Sequence, residues 1–441
     1  MKSFSRRNWL ILLLFGLCGQ LAWNVENMYF NLFVYDTVAP NLDAVTLMVQ
    51  LSGIVATVAT LVAGTLSDKL GNRRLFISVG YAIWGVTVAL FGFMSPELIS
   101  GLFNTGMDEA ITATLALVIV GDCVMTLFGS TANDAAFNAW VTDNTTASIR
   151  GRVEGVVAIM PLVAMLAVAG GFGILVEALG YATVFLILGI VISLSGIVGI
   201  FIIRDSKTLE RSGGFSDILF GFRPSVIKGN PRLYLTLVIV MVYGVACQVF
   251  MPYMIIYMKT YLGFSVLEYS IVFGAAIVAG AVINLFLGRL SDRADKTKLL
   301  YVAAAVMAAG LLCMYLSKGM EHIPTLILFG ISGFVMICGY IFVSALSGAI
   351  VRDNTPPTEA GKLQGVRMIF SVLIPMLAGP AIGNAINRAM GVKLENPGAD
   401  AMTTGYMPAP EIFLAAAVIT ALLPLFIALL RRARDTQGEQ G

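Results

Sequence analysis

Three acidic residues lie inside stretches of sequence that are otherwise apolar. Glu26 falls in the first such stretch, and Asp122 and Asp134 fall in the fourth. An ionisable side chain at the centre of a membrane span costs roughly 3 kcal/mol or more, so each of these acids needs a reason to be there. A carboxyl group shielded from water favours its protonated form and can load a proton when it opens to one side. Glu26, Asp122 and Asp134 are therefore candidates for proton coupling, although Glu26 could instead bridge to the second or fifth stretch.

Both acids of the fourth stretch belong to one polar face. Its members are spaced four residues apart, so a helix places them on the same side. They are Asp122, Thr126, Ser130 and Asp134, with Asn133 beside the last. The alternative to a functional face is a structural partnership of each acid with a neighbouring hydroxyl group or arginine.

A stripe of amide side chains follows one face of the first stretch, with spacings of four, three and four residues. Amides both donate and accept hydrogen bonds and aromatic faces cover C–H surface, so amides beside aromatic rings suit a polyhydroxylated ligand. Hydrogen bonding from helix to helix is the alternative. The residues expected to contact substrate are Gln20, Trp23, Asn24, Asn27, Asn31 and Asp134 in the first half, and Tyr253, Tyr257, Tyr340 and Asn384 in the second.

The composition predicts the elements that carry these residues. Of the 441 residues, 58% are hydrophobic and 12% are charged, whereas about a quarter of a soluble chain is charged. Twelve apolar stretches are each long enough to cross a bilayer as a helix. We therefore expect an all-α membrane protein with twelve transmembrane helices. The sequence contains no cofactor fingerprint, nucleotide loop or histidine-based triad, so neither an enzyme nor a cofactor is expected; a basic face for nucleic acid is also absent.

Basic residues indicate the orientation of the chain. All but four of the 28 lysines and arginines lie at the two ends or in alternate connections, and such an excess marks the cytoplasmic side. The exceptions are Lys259, Lys318, Arg388 and Lys393. We expect a multi-pass, monomeric protein of the plasma membrane, with the lipid bilayer as partner and both termini in the cytoplasm.

An internal repeat divides the sequence into halves. Residues 64–75 recur as residues 288–299, and residues 141–156 recur as residues 351–366. Parallel repeats with a binding site between them are typical of secondary transporters that work by alternating access. The expected divisions are a six-helix bundle over 1–203, a cytoplasmic linker over 204–232, a second bundle over 233–431 and a tail over 432–441.

The loop after the second stretch resembles the one that marks the major facilitator superfamily, with the pattern Gly64-x-x-x-Asp68-Lys69-x-Gly71-x-Arg73-Arg74. The resemblance implies two pseudo-symmetric six-helix bundles and a cytoplasmic gate held by charge contacts. It implies that Gly64 permits close helix approach, and that Asp68 meets Arg74 and the amino end of helix 11. The residues expected in the gate are Gly64, Asp68, Arg73, Arg74, Arg152 and Asp292.

A finer resemblance suggests the substrate. The first stretch, from Phe15 to Asp36, and the pair Asn133-Asp134 are similar to the glycoside–pentoside–hexuronide cation symporters, the melibiose permease group. The resemblance implies that Asp134 contacts a sugar. That group has acidic cation ligands on helix 2, whereas Leu51 to Ala63 contains no acid, so we expect H+ as the coupling ion. The predicted function is proton-coupled uptake of a small molecule, a sugar or glycoside; export of amphipathic drugs or lipid-like compounds is the alternative.

Overall fold

The structure is a computed structural model, and it describes residues 4–145, 147–205, 220–291, 295–355, 363–394 and 405–438. This part of the chain is almost entirely helical and includes twelve helices long and apolar enough to cross a membrane, which confirms the expected fold class. They are α1 Arg6–Val38, α2 Leu42–Leu70, α3 Arg73–Phe91, α4 Met107–Asp143, α5 Gly155–Leu179, α6 Tyr181–Ile202, α7 Pro231–Tyr261, α8 Val266–Ile283, α9 Lys296–Leu316, α10 His322–Asp353, α11 Gln364–Met390 and α12 Glu411–Ala433.

The chain divides into two compact units. The first comprises Met1–Phe215 with Glu395–Gly405, and the second comprises Ser216–Leu394 with Tyr406–Gly441. Helices α1 to α6 belong to the first unit, and helices α7 to α12 belong to the second. The connection between α3 and α4 contains a short helix, Pro96–Phe103, whose N-cap is Ser95.

The loop between α2 and α3 is shaped by two adjacent residues. Gly71 ends α2 with φ of 61°, a left-handed conformation that costs little without a Cβ atom. Asn72 then caps α3, because its side chain accepts a hydrogen bond from the backbone N–H of Leu75. The glycine and asparagine of this loop therefore set a tight turn between two long helices.

Helices α1 and α4 depart from regular α-helical geometry at the predicted polar positions. In α1 the segments Glu26–Phe30 and Val34–Val38 are π-helical. In α4 the π-helical segment is Ser130–Phe137, which contains Asp134. A π-helical turn holds more residues than an α-helical turn and is found frequently at functional sites. Both helices thus change their register where the acids and amides lie.

Aromatic and aliphatic side chains fill the interior of each unit. In the first unit Phe30, Phe91 and Phe185 pack together, with Phe30 stacked 4.1 Å from Phe91 and edge-on 4.9 Å from Phe185. In the second unit a buried aliphatic cluster joins α7, α9, α10 and α12. Large apolar side chains on the outside stay exposed, such as Phe201 at 78%, as expected for helices that face lipid.

Polar side-chain contacts join helix ends in the second unit. Lys318 Nζ, in the loop after α9, lies 2.8 Å from Glu411 Oε1 at the start of α12 and donates to Tyr315 Oη at 2.8 Å. Glu268 of α8 pairs with His322 of α10, with 2.8 Å between Oε1 and Nε2. These contacts hold α8 to α10 and α9 to α12.

Candidate functional site

A buried acid and a hydroxyl group join α1 to α4. Thr126 donates its hydroxyl hydrogen to Glu26 Oε1 at 3.0 Å, and both residues are buried, at 1% and 8% exposure. Glu26 is the first residue of the π-helical segment Glu26–Phe30 in α1. The hydrogen bond places Glu26 beside the polar face of α4 that was predicted from the sequence.

Asp122 lies one turn before Thr126 on α4. Its side chain is 1% exposed, and Ser52 of α2 lies against its carboxyl group. Glu26 and Asp122 are close enough to interact electrostatically. In the part of the chain that the structure describes, Glu26 Oε2 and Asp122 Oδ1 have no hydrogen-bond partner. Two buried carboxyl groups therefore lie within electrostatic range of each other, each with an oxygen atom available for a proton.

A second hydrogen-bond network, farther along α4, holds Asp134. Asn133 Nδ2 donates to Asp134 Oδ1 at 3.2 Å, and the side chains of Ser130 and Trp23 lie beside the same carboxyl group. Tyr81 of α3 donates to Asn133 Oδ1 at 2.9 Å and to the Phe15 carbonyl oxygen at 2.7 Å. Asp134 itself is half-buried, so it is the most accessible of the three acids.

Two indole rings pack beside this network. The rings of Trp23 and Trp84 are 5.0 Å apart. Gly129 of α4 leaves room for them, because a Cβ atom there would lie 2.8 Å from the Trp84 ring and 3.1 Å from the Trp23 ring. Tyr81 and Trp84 were missed by sequence reasoning. Each is one aromatic residue in an apolar helix, and nothing in the spacing distinguishes it from a packing residue.

The charges of this region are all of one sign. Among the described residues, neither Glu26 nor Asp122 nor Asp134 forms an ion pair. Cys123, also on α4, lies within the electrostatic field of Glu26 and Asp122. No group of three or more His, Cys, Asp or Glu side chains that could hold a metal ion occurs in the described residues.

Amide groups of the α1 stripe hydrogen-bond largely within their own helix. Asn24, Asn27 and Asn31 each donate from Nδ2 to the carbonyl oxygen four residues earlier, at 2.8, 2.7 and 3.1 Å. Asn27 is exposed, whereas Gln20 and Asn24 are half-buried and Asn31 is buried. The side-chain N–H groups are therefore partly occupied by hydrogen bonds within the helix, and the amide oxygens remain to accept hydrogen bonds from a ligand.

The substrate candidates of the second unit fall into two groups. Tyr253 of α7 is fully buried and donates to the carbonyl oxygen of Pro380 on α11 at 3.0 Å, and Asn384 follows one turn later on α11. Tyr257 is also fully buried, stacked 4.9 Å from Tyr261. Tyr340 of α10 is 36% exposed and lies elsewhere, with its ring 6.1 Å from Tyr243.

The loop between α2 and α3 forms a charge cluster around one buried arginine. Arg73, 5% exposed, pairs with Asp68 and, through Nε at 3.1 Å, with Asp143 at the end of α4. The family resemblance implied that Asp68 pairs with Arg74. This is wrong, because in the described part of the chain Asp68 pairs with Arg73. Arg73 carries the positive charge, while the Arg74 backbone N–H donates to Asp205 Oδ1 at 3.0 Å.

Other gate candidates are placed as follows. A Cβ atom at Gly64 would lie 4.0 Å from the Ala135 Cβ atom, so the approach of α2 to α4 does not require glycine there. The implied role of Gly64 in close helix approach stays a prediction. Arg152 is exposed and its guanidinium lies 5.5 Å from the centre of the Trp9 ring. Asp292 lies outside the described residues.

Comparison with known proteins places the chain in a family. The family model of the Major Facilitator Superfamily matches residues 12–380. No curated protein matches the chain at a significant level. Among solved structures, the nucleoside transporter NupG matches with a TM-score of 0.65 and 13% identity, over 97% of this chain and 99% of that chain. A point mutant of the same transporter gives a TM-score of 0.69 and 12% identity, over 95% and 99%.

A bacterial homologue of the human lysosomal transporter Spinster, solved in an inward-facing and unoccupied conformation, matches with a TM-score of 0.65 and 14% identity, over 98% of both chains. At such identities the structural matches establish the fold alone. The family match covers most of the sequence, and twelve helices are long and apolar enough to span a bilayer. The chain therefore belongs to the Major Facilitator Superfamily and is a multi-pass membrane transporter.

Proposed function

We propose that this transporter couples the entry of a proton to the uptake of an uncharged glycoside by alternating access. The class includes sugars, alkyl glycosides and nucleosides. The observation that carries the proposal is the acid cluster of the first unit, in which Glu26 and Asp122 are buried and interact while Asp134 is half-buried beside an amide and an indole.

The proton is the coupling ion that suits two buried carboxyl groups that interact electrostatically. A proton on one carboxyl group removes the repulsion between the pair and supplies a hydrogen-bond donor where Glu26 and Asp122 each have an oxygen without a partner in the described structure. Binding a proton also lowers the cost of carrying an acid through the hydrocarbon layer. Glu26 and Asp122 therefore hold the coupling proton in this proposal.

An uncharged glycoside fits the surroundings of Asp134. A carboxylate accepts hydrogen bonds from adjacent hydroxyl groups, and an indole face such as that of Trp23 covers the C–H surface of a sugar ring. A nucleoside is a base on a sugar, and the structural neighbour NupG is named as a nucleoside transporter. This neighbour supports extending the class from sugars to nucleosides.

We propose that the Arg73 cluster organises the cytoplasmic gate. Arg73 joins the start of α3 to Asp68 at the end of α2 and to Asp143 at the end of α4. A buried arginine with two carboxylate partners fixes these three helix ends relative to one another. The predicted orientation of the chain places this cluster on the cytoplasmic side.

Uptake into proteoliposomes tests the proposal. The full-length protein is reconstituted, and uptake of tritiated uridine and of radiolabelled methyl glucoside is measured with and without an inward proton gradient. We expect the gradient to accelerate uptake of at least one probe. We expect Asp134→Asn to raise the KM for that probe by about tenfold or more, since a hydrogen bond to a charged group is worth roughly 1.5–3 kcal/mol.

Asp108→Asn is the matched control, because Asp108 is an exposed acid in the first turn of the same helix; its uptake should equal that of the wild type. Gradient-independent uptake, or an unchanged KM in Asp134→Asn, would contradict the proposal. Thermal stabilisation by a lipophilic amine, with no response to either glycoside, would instead favour export of amphipathic compounds.

A further inference from the structure

The hydroxyl groups of Thr126 and Ser130 are not used by their own helix. A buried threonine or serine in a helix commonly donates to the carbonyl oxygen three or four residues earlier. Thr114 on α4 does so, donating to Ala110 at 2.7 Å. Thr126 donates to the Glu26 carboxyl group instead, and Ser130 Oγ has no hydrogen-bond partner within the described part of the chain.

These two hydroxyl groups lie between carboxyl groups. Ser130 lies against Asp134, and Thr126 contacts Glu26, which interacts with Asp122. The four α4 residues are each four positions apart, so each step is about 6 Å along the helix. Ser130 and Thr126 are 0% and 1% exposed, and both lie at the α4 turn where the π-helical segment begins.

We infer that Thr126 and Ser130 form a proton relay between Asp134, which is half-buried, and the buried pair of Glu26 and Asp122. The inference rests on the proton coupling proposed above and assigns a path to it. Asp134 is the acid through which the proton enters, and the pair is where it is stored. The two hydroxyl groups connect these positions, and the part of α4 between Thr126 and Asp134 contains no titratable side chain.

Each transfer balances. The O–H bond of protonated Asp134 breaks and its proton passes to the Ser130 oxygen, while the original hydroxyl proton of Ser130 leaves towards Thr126. A step of about 6 Å along the helix exceeds a hydrogen bond, and one water molecule spans it by donating one proton and accepting another. The Thr126 hydroxyl then passes its own proton to Glu26 and regains one from the water. Every hydroxyl group ends with one proton, and the net change is the movement of a proton from Asp134 to Glu26.

Other titratable groups face this path from neighbouring helices. Tyr81 of α3 is near both Asp134 and Cys18 of α1, and Cys123, on α4 itself, is near Glu26 and Asp122. Tyr81 donates its hydrogen to Asn133 and the Phe15 carbonyl oxygen, so it does not connect Asp134 to Glu26. The hydroxyl groups of α4 are the connection that the geometry provides.

Time-resolved infrared spectroscopy tests the relay with the proton itself as the probe. The full-length protein in liposomes receives protons from a photolysed caged acid, and the rise of the protonated-carboxyl band that is absent in Glu26→Gln is followed. Ser130→Ala is the decisive variant, because Ser130 does not contact Glu26. We expect it to slow the rise by about tenfold or more without moving the titration midpoint, since positioned proton-transfer groups contribute factors of about 10² to 10⁴.

Thr126→Val should slow the same band, and Thr126→Ser should restore it by returning the hydroxyl group. Thr114→Val, on the same helix, should match the wild type. A wild-type rate in Ser130→Ala, or no Glu26 band at all, would overturn the relay. Uptake that ignores a proton gradient would instead refute the proposed function, and this is measured separately.

Discussion

Residue-scale chemistry in the first unit depends on which side chains hold the acids in place. Tyr81 shows this, because one hydroxyl group contacts α1 through the Phe15 carbonyl oxygen and α4 through Asn133. Asn133 in turn donates to Asp134. Gly19 leaves the space for this network, since a Cβ atom there would lie 2.5 Å from Asn133 Oδ1 and 2.6 Å from the Tyr81 oxygen.

Tyr81→Phe should therefore destabilise the protein. Two buried acceptors lose their donor, and a buried group left without its hydrogen bond costs about 1–3 kcal/mol. The free energy of unfolding, measured by denaturant titration in detergent, should fall by that amount. Tyr301→Phe, at a half-buried position on α9, is the control and should change little. Equal stability of Tyr81→Phe and wild type would show that the hydroxyl bonds do not matter.

At the scale of elements, hydropathy and charge predicted the helices well and their internal irregularities not at all. The fourth apolar stretch, which contains Asp122 and Asp134, forms the single long helix Met107–Asp143. The π-helical segments of α1 and α4 were not visible in the residue spacing. The shared face of Asp122 and Thr126 was visible in the spacing. The contact of this face with Glu26 was not visible, because residue spacing defines one face of a single helix and does not show how the neighbouring helix is rotated.

The ends of the helices in the second unit are held by an ion pair that persists at high pH. Hydrogen bonding to Glu411, and then to Tyr315, raises the pKa of Lys318 above its ordinary value of 10.5. A group whose pKa is raised by folding contributes stability that is fully present below its unfolded-state pKa. That stability is lost only as the pH rises through the higher folded-state value. The link between the α9–α10 loop and α12 should thus remain at any pH near neutrality.

Lys318→Met should lower the melting temperature by the same amount at pH 7 and at about pH 10, because Lys318 stays charged throughout this window. The difference from wild type should shrink only at more alkaline pH. Lys228→Met, at an exposed position on a short helix, is the control and should match the wild type throughout. A difference that disappears between pH 7 and about pH 9 would contradict the raised pKa of Lys318.

The two halves of the whole molecule are chemically unequal. The sequence repeat pairs Glu26, Asp122 and Asp134 of the first half with Phe250, Ser332 and Ser344 of the second. All three of these acids thus belong to the first unit, and the paired positions of the second half carry no ionisable side chain. We expect the coupling proton to bind in the first unit.

The most direct test of proton coupling is to measure the protons that enter together with the substrate. Liposomes containing the protein and a trapped pH-sensitive dye are given uridine or methyl glucoside outside, with no gradient imposed. We expect the interior to acidify with the wild type and with Asp108→Asn, and not to acidify with Glu26→Gln. Substrate entry without acidification in the wild type, or equal acidification in Glu26→Gln, would rule out proton coupling through Glu26.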